Sequence, residues 1–286
     1  MARKGNRIDL MFRRLKSEGR SAFATFTLSS DPSFDESLAR LRLLVRNGID
    51  LLEIGHPFSD PILDGATIQN ANRRALAAGG SLSRTFDLCA AFRAEDDVTP
   101  IILMGYANPI VTMGYDAFVA RAAAAGIDGL IVADLPLREA EPLLDVVSRK
   151  GLFFIPLAAP TVAAEDFTSR HAGVGGFLYC IPVVGPTGGP SASTQAIAEA
   201  VARCRLVSDL PVMVGFGVKS TRMATDVAAI ADGVVVASVL IEEFERMRIE
   251  LDGDDFVAAA GDLTMEYRRG IDGFAPLVRE KHPRKG

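Results

Sequence analysis

Tryptophan is absent from the 286 residues, histidine occurs only as His56, His171 and His282, and cysteine only as Cys89, Cys180 and Cys204. Cysteines so few and so scattered do not frame a disulfide scaffold or a zinc site. Three distant histidines argue against a three-histidine metal cluster. No run approaches the ~20 apolar residues that cross a bilayer. The first nine residues carry charge but no apolar core of the kind a secretory signal has. Positive charge is not in excess: the net charge of −5 gives no electrostatic footing for nucleic acid, and no dense basic run occurs outside the termini. These absences predict a cytoplasmic enzyme of a reducing compartment, without metal or cofactor and without nucleic-acid or membrane partners.

Apolar residues make up 49% and charged residues 23%, which excludes wholesale disorder. The length suggests about two domains at roughly 150 residues each, but a single α/β barrel takes about 250. Short apolar runs alternate with longer helical ones. Strands are expected near Phe23–Leu28, Leu51–Ile54, Pro100–Met104, Gly129–Ala133, Phe153–Pro156, Gly176–Tyr179, Val212–Val214 and Gly233–Val236. Most are apolar on successive residues, as parallel strands buried on both faces are. Amphipathic segments lie between them, at Asp31–Val45, Tyr115–Ala125, Arg138–Arg149, Ala163–Arg170, Ser193–Ser208 and Ser220–Ala231. Several stop at a glycine (Gly48, Gly126, Gly151), the residue that enters the left-handed helix-ending conformation cheaply.

Eight such units close into a (β/α)₈ TIM barrel; an open doubly wound sheet is the alternative, but no GxGxxG follows the first strand. Residues 5–19 read as an extra amphipathic helix capping the barrel bottom, and residues 253–268 as a last C-terminal helix before a polar tail, Arg279–Gly286. The whole chain, 1–286, is expected to form one domain with a barrel core of about 20–250. The stretch 185–193, rich in glycine, proline and serine, reads as a mobile loop.

In such barrels the chemistry sits at the C-terminal strand ends. Strand 2 delivers Glu53 from between Leu52 and Ile54, so that Glu53 faces inward. Desolvation there raises the pKa of an unpaired carboxyl toward neutrality, where it can transfer protons; a buried structural glutamate is the other reading. Asp64 lies eleven residues on, in a loop over the barrel mouth, where turn-shaping is the other reading for it and for Asp60. Strands 7 and 8 run into Gly215, Gly217, Ala237 and Ser238, small residues expected to leave backbone N–H groups open to a phosphate at helix starts; Thr187-Gly188 supplies a third wall. Glycines needed only for tight turns remain the alternative. Of the lysines, only Lys219 is near the mouth, at an exposed helix start, so a Schiff-base aldolase is not indicated. Carboxylate acid/base work on a phosphate ester remains.

The run Glu53-Ile-Gly-His-Pro-Phe-Ser-Asp-Pro-Ile-Leu-Asp-Gly-Ala-Thr-Ile-Gln69 resembles the signature of the tryptophan synthase alpha chain family. The match continues through Leu103-Met-Gly-Tyr-Ala-Asn-Pro109, Gly129-Leu-Ile-Val-Ala-Asp-Leu-Pro136, Gly215-Phe-Gly217 and Gly233-Val-Val-Val-Ala-Ser238, over roughly residues 5–270. The resemblance implies a (β/α)₈ barrel that cleaves indole-3-glycerol phosphate to indole and glyceraldehyde 3-phosphate, a retro-aldol reaction. It implies Glu53 as the acid/base, Asp64 as the carboxylate on the indole N–H, and Tyr179 as a tyrosine near the glutamate. Gly188, Gly217, Ala237 and Ser238 fall on the phosphate positions, and Phe26, Met104, Ala133 and Phe216 on the indole pocket, with Leu157 as a further apolar wall. It also implies a PLP-dependent beta chain as partner, in an alpha2-beta2 tetramer, that receives indole through a tunnel.

The chain departs from the family pattern at several points. Pro182-Val-Val-Gly-Pro-Thr-Gly188 lacks the usual arginine and carries Pro186 in the lid. His56 replaces a small aliphatic residue, the glycine before Asp31-Pro32 is missing, and Ala237 replaces a phosphate-site glycine. These changes bear on coupling to a beta chain and leave three roles open: an alpha chain with its partner, a stand-alone indole-3-glycerol phosphate lyase, and a catalytically silent barrel kept as a binding partner.

Overall fold

The computed structural model describes residues 5–160, 173–182, 193–215 and 217–273. Its first element, helix α1 (Arg7–Glu18), starts where the Asn6 side chain accepts the Ile8 N–H and ends at Gly19, whose left-handed backbone (φ 68°) lets the chain turn. Ile8, Met11 and Leu15 recur at helical spacing and form its buried face. That face enters the same apolar cluster as Ala22, Leu51, Ile102, Phe177 and Met213, which point into the barrel. Ile8 also packs beside Gly129 and Gly176, at the beginnings of two strand units. The helix therefore plugs the N-terminal end of the barrel.

Nine parallel segments make the sheet: β1 (Ala22–Leu28), β2 (Leu51–Gly55), β3 (Ile101–Gly105), β4 (Gly129–Val132), β5 (Phe153–Phe154), β6 (Leu157–Ala158), β7 (Leu178–Cys180), β8 (Val212–Val214) and β9 (Gly233–Val236). Their order is β5-β4-β3-β2-β1-β9-β8-β7-β6. The two outermost segments are consecutive in the chain, separated only by Ile155 and Pro156, so the ring closes through that link. The strand expected at Phe153–Pro156 is thus two short pieces, one paired with β4 and one with β7. Pro156 has no N–H to give a ladder; the Ile155 N–H still reaches Leu130, and the Pro156 carbonyl accepts from Tyr179.

Alternation sets the two faces. On β2, Leu51 points into the barrel, whereas Leu52 and Ile54 join the outer core between sheet and helices. Glu53 shares the parity of Leu51 and points inward. The outer layer holds α2 (Phe34–Arg46), α3 (Ala66–Ala77), α4 (Leu82–Arg93), α5 (Ala107–Met113), α6 (Tyr115–Ala124), α7 (Glu141–Lys150) and α8 (Thr194–Val207), then α9 (Thr221–Ala228) and α10 (Ser238–Glu250). Helix α11 (Gly253–Asp272) follows, four residues longer than expected. The segments Ala163–Arg170 and Arg279–Gly286 lie outside the described residues. Among the described residues no helix is long and apolar enough to cross a membrane.

Candidate active site

Glu53 is 0% exposed, and neither of its carboxylate oxygens has a hydrogen-bond partner among the described residues. Burial without a partner penalises the charged form and pushes its pKa up to about 8. Its register neighbours are Phe26 on β1 and Ile102 on β3. The Phe26 ring leans against Gly55, two residues further along the same face of β2, so it covers the mouth side of the carboxyl. Tyr179 on β7 is buried and stands close enough for the Glu53 charge to raise its own pKa further, after burial. Its hydroxyl donates to the Gly215 carbonyl at 3.1 Å. A Cβ at Gly215 would overlap that phenol, so glycine there makes room for the tyrosine.

Asp64 sits on the loop between β2 and α3, just before the helix N-cap Gly65. Its N–H closes a turn on the Pro61 carbonyl (3.1 Å), and its carbonyl accepts from the Gln69 side chain (2.8 Å). The Tyr106 hydroxyl donates to Oδ2 of Asp64 at 3.2 Å and accepts the Leu63 N–H at 3.1 Å. Burial raises the Asp64 pKa to about 6, with the Tyr106 hydrogen bond pulling the other way.

A cleft of about 300 Å³, open mouth included, is lined by Phe26, Leu28, Gly55, His56, Asp64, Asn72, Met104, Gly105, Tyr106 and Ala133. Four of the expected site residues, Phe26, Asp64, Met104 and Ala133, therefore share one wall set, with Glu53 enclosed behind Phe26. Leu157 lies in the barrel interior, in register with Tyr179. Thr187, Gly188 and Phe216 lie outside the described residues.

The two glycines after β8 are not at a helix start. Gly217 adopts φ 75°, and α9 begins only at Thr221, where Ser220 caps it by accepting the Met223 N–H. The expectation that Gly215 and Gly217 open a helix N-terminus is corrected accordingly: a serine has taken that cap. Helix α10 differs, because its N-cap is Ala237 and no side chain caps it. Ala237 packs against the cluster of Phe26, Leu28 and Ile241, so this uncapped, electropositive start faces the cleft region.

Six cleft residues escaped the expected site: Leu28, Gly55 and Gly105, and the polar His56, Asn72 and Tyr106. Tyr106 stood in the motif at the end of strand 3, one residue past the strand, which was the available signal. Asn72 accepts the Phe58 N–H at 3.0 Å and so ties the β2–α3 loop to α3; a mid-helix asparagine carries no such signal in sequence.

The family profile described as tryptophan synthase alpha chain matches residues 12–264. A tryptophan synthase alpha chain from Caulobacter sp. (strain K31) is 46% identical over 240 residues, covering 84% of this chain and 87% of the relative. Among solved structures, tryptophan synthase subunit alpha from Legionella pneumophila str. Paris superposes with a TM-score of 0.86 at 36% identity, covering 94% of this chain and 99% of that one. A tryptophan synthase from M. tuberculosis in its aminoacrylate-bound form gives 0.80 at 32% identity, covering 93% and 100%. The profile spans most of the barrel and the relatives match most of their own length, so the chain belongs to the tryptophan synthase alpha chain family.

Proposed function

We propose that the cleft takes indole-3-glycerol phosphate and that Glu53 and Asp64 carry its retro-aldol cleavage to indole and glyceraldehyde 3-phosphate. Membership of the family makes the chain a lyase of tryptophan biosynthesis. The observation that carries the assignment of roles is the buried Glu53 carboxyl without a hydrogen-bond partner among the described residues, its pKa raised to about 8 by burial, with a second carboxyl, Asp64, in the wall of the cleft that Phe26 also lines.

In this reading the indole ring lies among Phe26, Met104, Ala133 and Phe216, with Leu157 as a further apolar wall. The phosphate binds to backbone N–H groups of Gly188, Gly217, Ala237 and Ser238, beside Thr187 and at the uncapped start of α10. Glu53 gives its proton to indole C3, which leaves the ring nitrogen positive. The Asp64 carboxylate accepts the ring N–H and stabilises that charge. The Glu53 carboxylate then takes the proton of the glycerol hydroxyl as the carbon–carbon bond breaks. The bond's electron pair returns to the ring, and the hydroxyl carbon becomes the aldehyde. Tyr179 holds the wall beside Glu53 through its bond to Gly215.

Glu53→Gln cannot transfer a proton and should abolish indole release from indole-3-glycerol phosphate while the circular dichroism spectrum stays unchanged. Near wild-type turnover in that variant would remove Glu53 from the mechanism. Asp64→Asn should lower kcat more than it raises KM, because its charge is needed most in the transition state; the reverse split would assign Asp64 to substrate binding.

The family implies a beta chain as partner. We place the enzyme in an alpha2-beta2 assembly, in the cytoplasm, with residues 1–286 acting as one barrel domain. The lid sequence Pro182–Gly188, with its proline and without the family's arginine, favours a stand-alone lyase as the second reading.

A further inference from the structure

The cleft wall carries one side chain that the chemistry above leaves unused. His56 follows β2 directly and is 3% exposed. Its backbone N–H donates to the Met104 carbonyl at 3.1 Å, and its ring Nε2 accepts the backbone N–H of Tyr106 at 3.3 Å. A ring nitrogen that accepts carries no proton, so the proton resides on Nδ1. Nδ1 makes no hydrogen bond of full geometry among the described residues; the nearby Pro57 carbonyl favours its proton. Burial lowers the imidazole pKa to about 4, so the ring stays neutral and Nε2 stays an acceptor at working pH.

The space for this ring is made by its neighbour strand. A Cβ at Gly105 would overlap the imidazole, so a histidine at 56 requires glycine at 105. Tyr106 then has both ends fixed. Its main chain is bonded to His56, and its hydroxyl is bonded to Asp64 and Leu63 of the mouth loop.

We propose that His56 is a positioning residue for the cleavage reaction: by holding the Tyr106 main chain at the exit of β3, it aims the Tyr106 hydroxyl at Asp64 and fixes that carboxylate over the cleft. The proposal rests on the reading of Asp64 as the carboxylate facing the indole nitrogen. The other charge near this chain of bonds is Asp134 beyond β4, which both His56 and Tyr106 feel. Its carboxyl accepts the Ala107 N–H at 2.7 Å, so it is anchored independently of His56.

A double-mutant cycle with His56→Leu and Tyr106→Phe tests it, read as kcat, KM and the acid limb of the kcat–pH profile. Leu cannot accept the Tyr106 N–H. His56→Leu should lower kcat by about tenfold, the size of effect expected from a misplaced catalytic group, while KM moves by no more than about twofold. The acid limb should shift to higher pH, since Asp64 loses the hydroxyl bond that favours its ionised form. His56→Gln, whose Oε1 can accept, should restore most of the rate and the limb. In the Tyr106→Phe background His56→Leu should cost nothing further. Additive losses, or a rate loss at all pH values with the limb unmoved, would overturn the proposal. Thermal melts check that each protein is folded, and His56→Val takes the place of the leucine variant should that one not fold. Failure of the Asp64 reading shows separately, as full turnover in Asp64→Asn.

Discussion

A glutamate unfolded in water ionises near 4.5, whereas Glu53 in the barrel does so near 8. Between those values the folded chain holds a proton that the unfolded chain has released. Stability therefore falls as pH rises across this window and levels off above about 8. Glu53→Gln removes the ionisation, so the variant should gain stability over the wild type on going from pH 5 to pH 8. The gain should be on the order of a few kcal/mol, at roughly 1.4 kcal/mol for each pH unit between the two values. Urea denaturation at several pH values measures it; parallel curves for the two proteins would mean that Glu53 ionises freely. The same pair of carboxyls predicts the rate profile. Glu53 must be protonated to act as the acid and Asp64 ionised to hold the ring nitrogen, so kcat/KM should be bell-shaped with limbs near 6 and 8. The acidic limb should disappear in Asp64→Asn. The inward aim of Glu53 was legible from its apolar neighbours, because strand alternation is a local rule. The His56–Tyr106–Asp64 chain of bonds was not, because it joins the exits of two strands and a loop whose spacing only the closed barrel sets.

Helix α1 shows at the level of one element how burial separates residues that look alike in sequence. Leu15 is 1% exposed in the barrel floor, and Leu10 on the same helix is 48% exposed. Leu15→Ala should cost about 2–5 kcal/mol, the range for truncating a buried leucine, and Leu10→Ala no more than ~0.5 kcal/mol, the range for an ordinary surface substitution. Chemical denaturation of both variants checks the contrast; equal losses would mean that α1 does not seat in the barrel. This helix was readable beforehand because its apolar spacing is complete within one stretch. The division of the fifth strand was not read, although Pro156 stood in plain view. A proline removes one ladder donor, but which neighbour then loses its partner depends on the ring. The start of α9 was read where it lies, at Ser220; what was not read is that Ser220 itself caps the helix, so that the preceding glycines do not form its N-terminus.

The whole barrel was legible as a count, since eight apolar runs separated by helical ones close a ring with few other options. At its mouth, Phe26, Asp64, Met104 and Ala133 line one cleft, while Thr187, Gly188 and Phe216 lie outside the described residues. The partner reading makes a prediction at this scale. Adding a beta chain should raise indole-3-glycerol phosphate turnover well above that of the chain alone and produce a larger species on gel filtration. Unchanged kinetics and no complex would select the stand-alone lyase. The floor made by Ile8, Met11 and Leu15 bears on either outcome. Among the described residues the base of the vessel is stoppered, which leaves the doorway at the strand ends, where Asp64 and Tyr106 stand. Whatever stands at that doorway, lid or second protein, thereby governs the traffic in both directions.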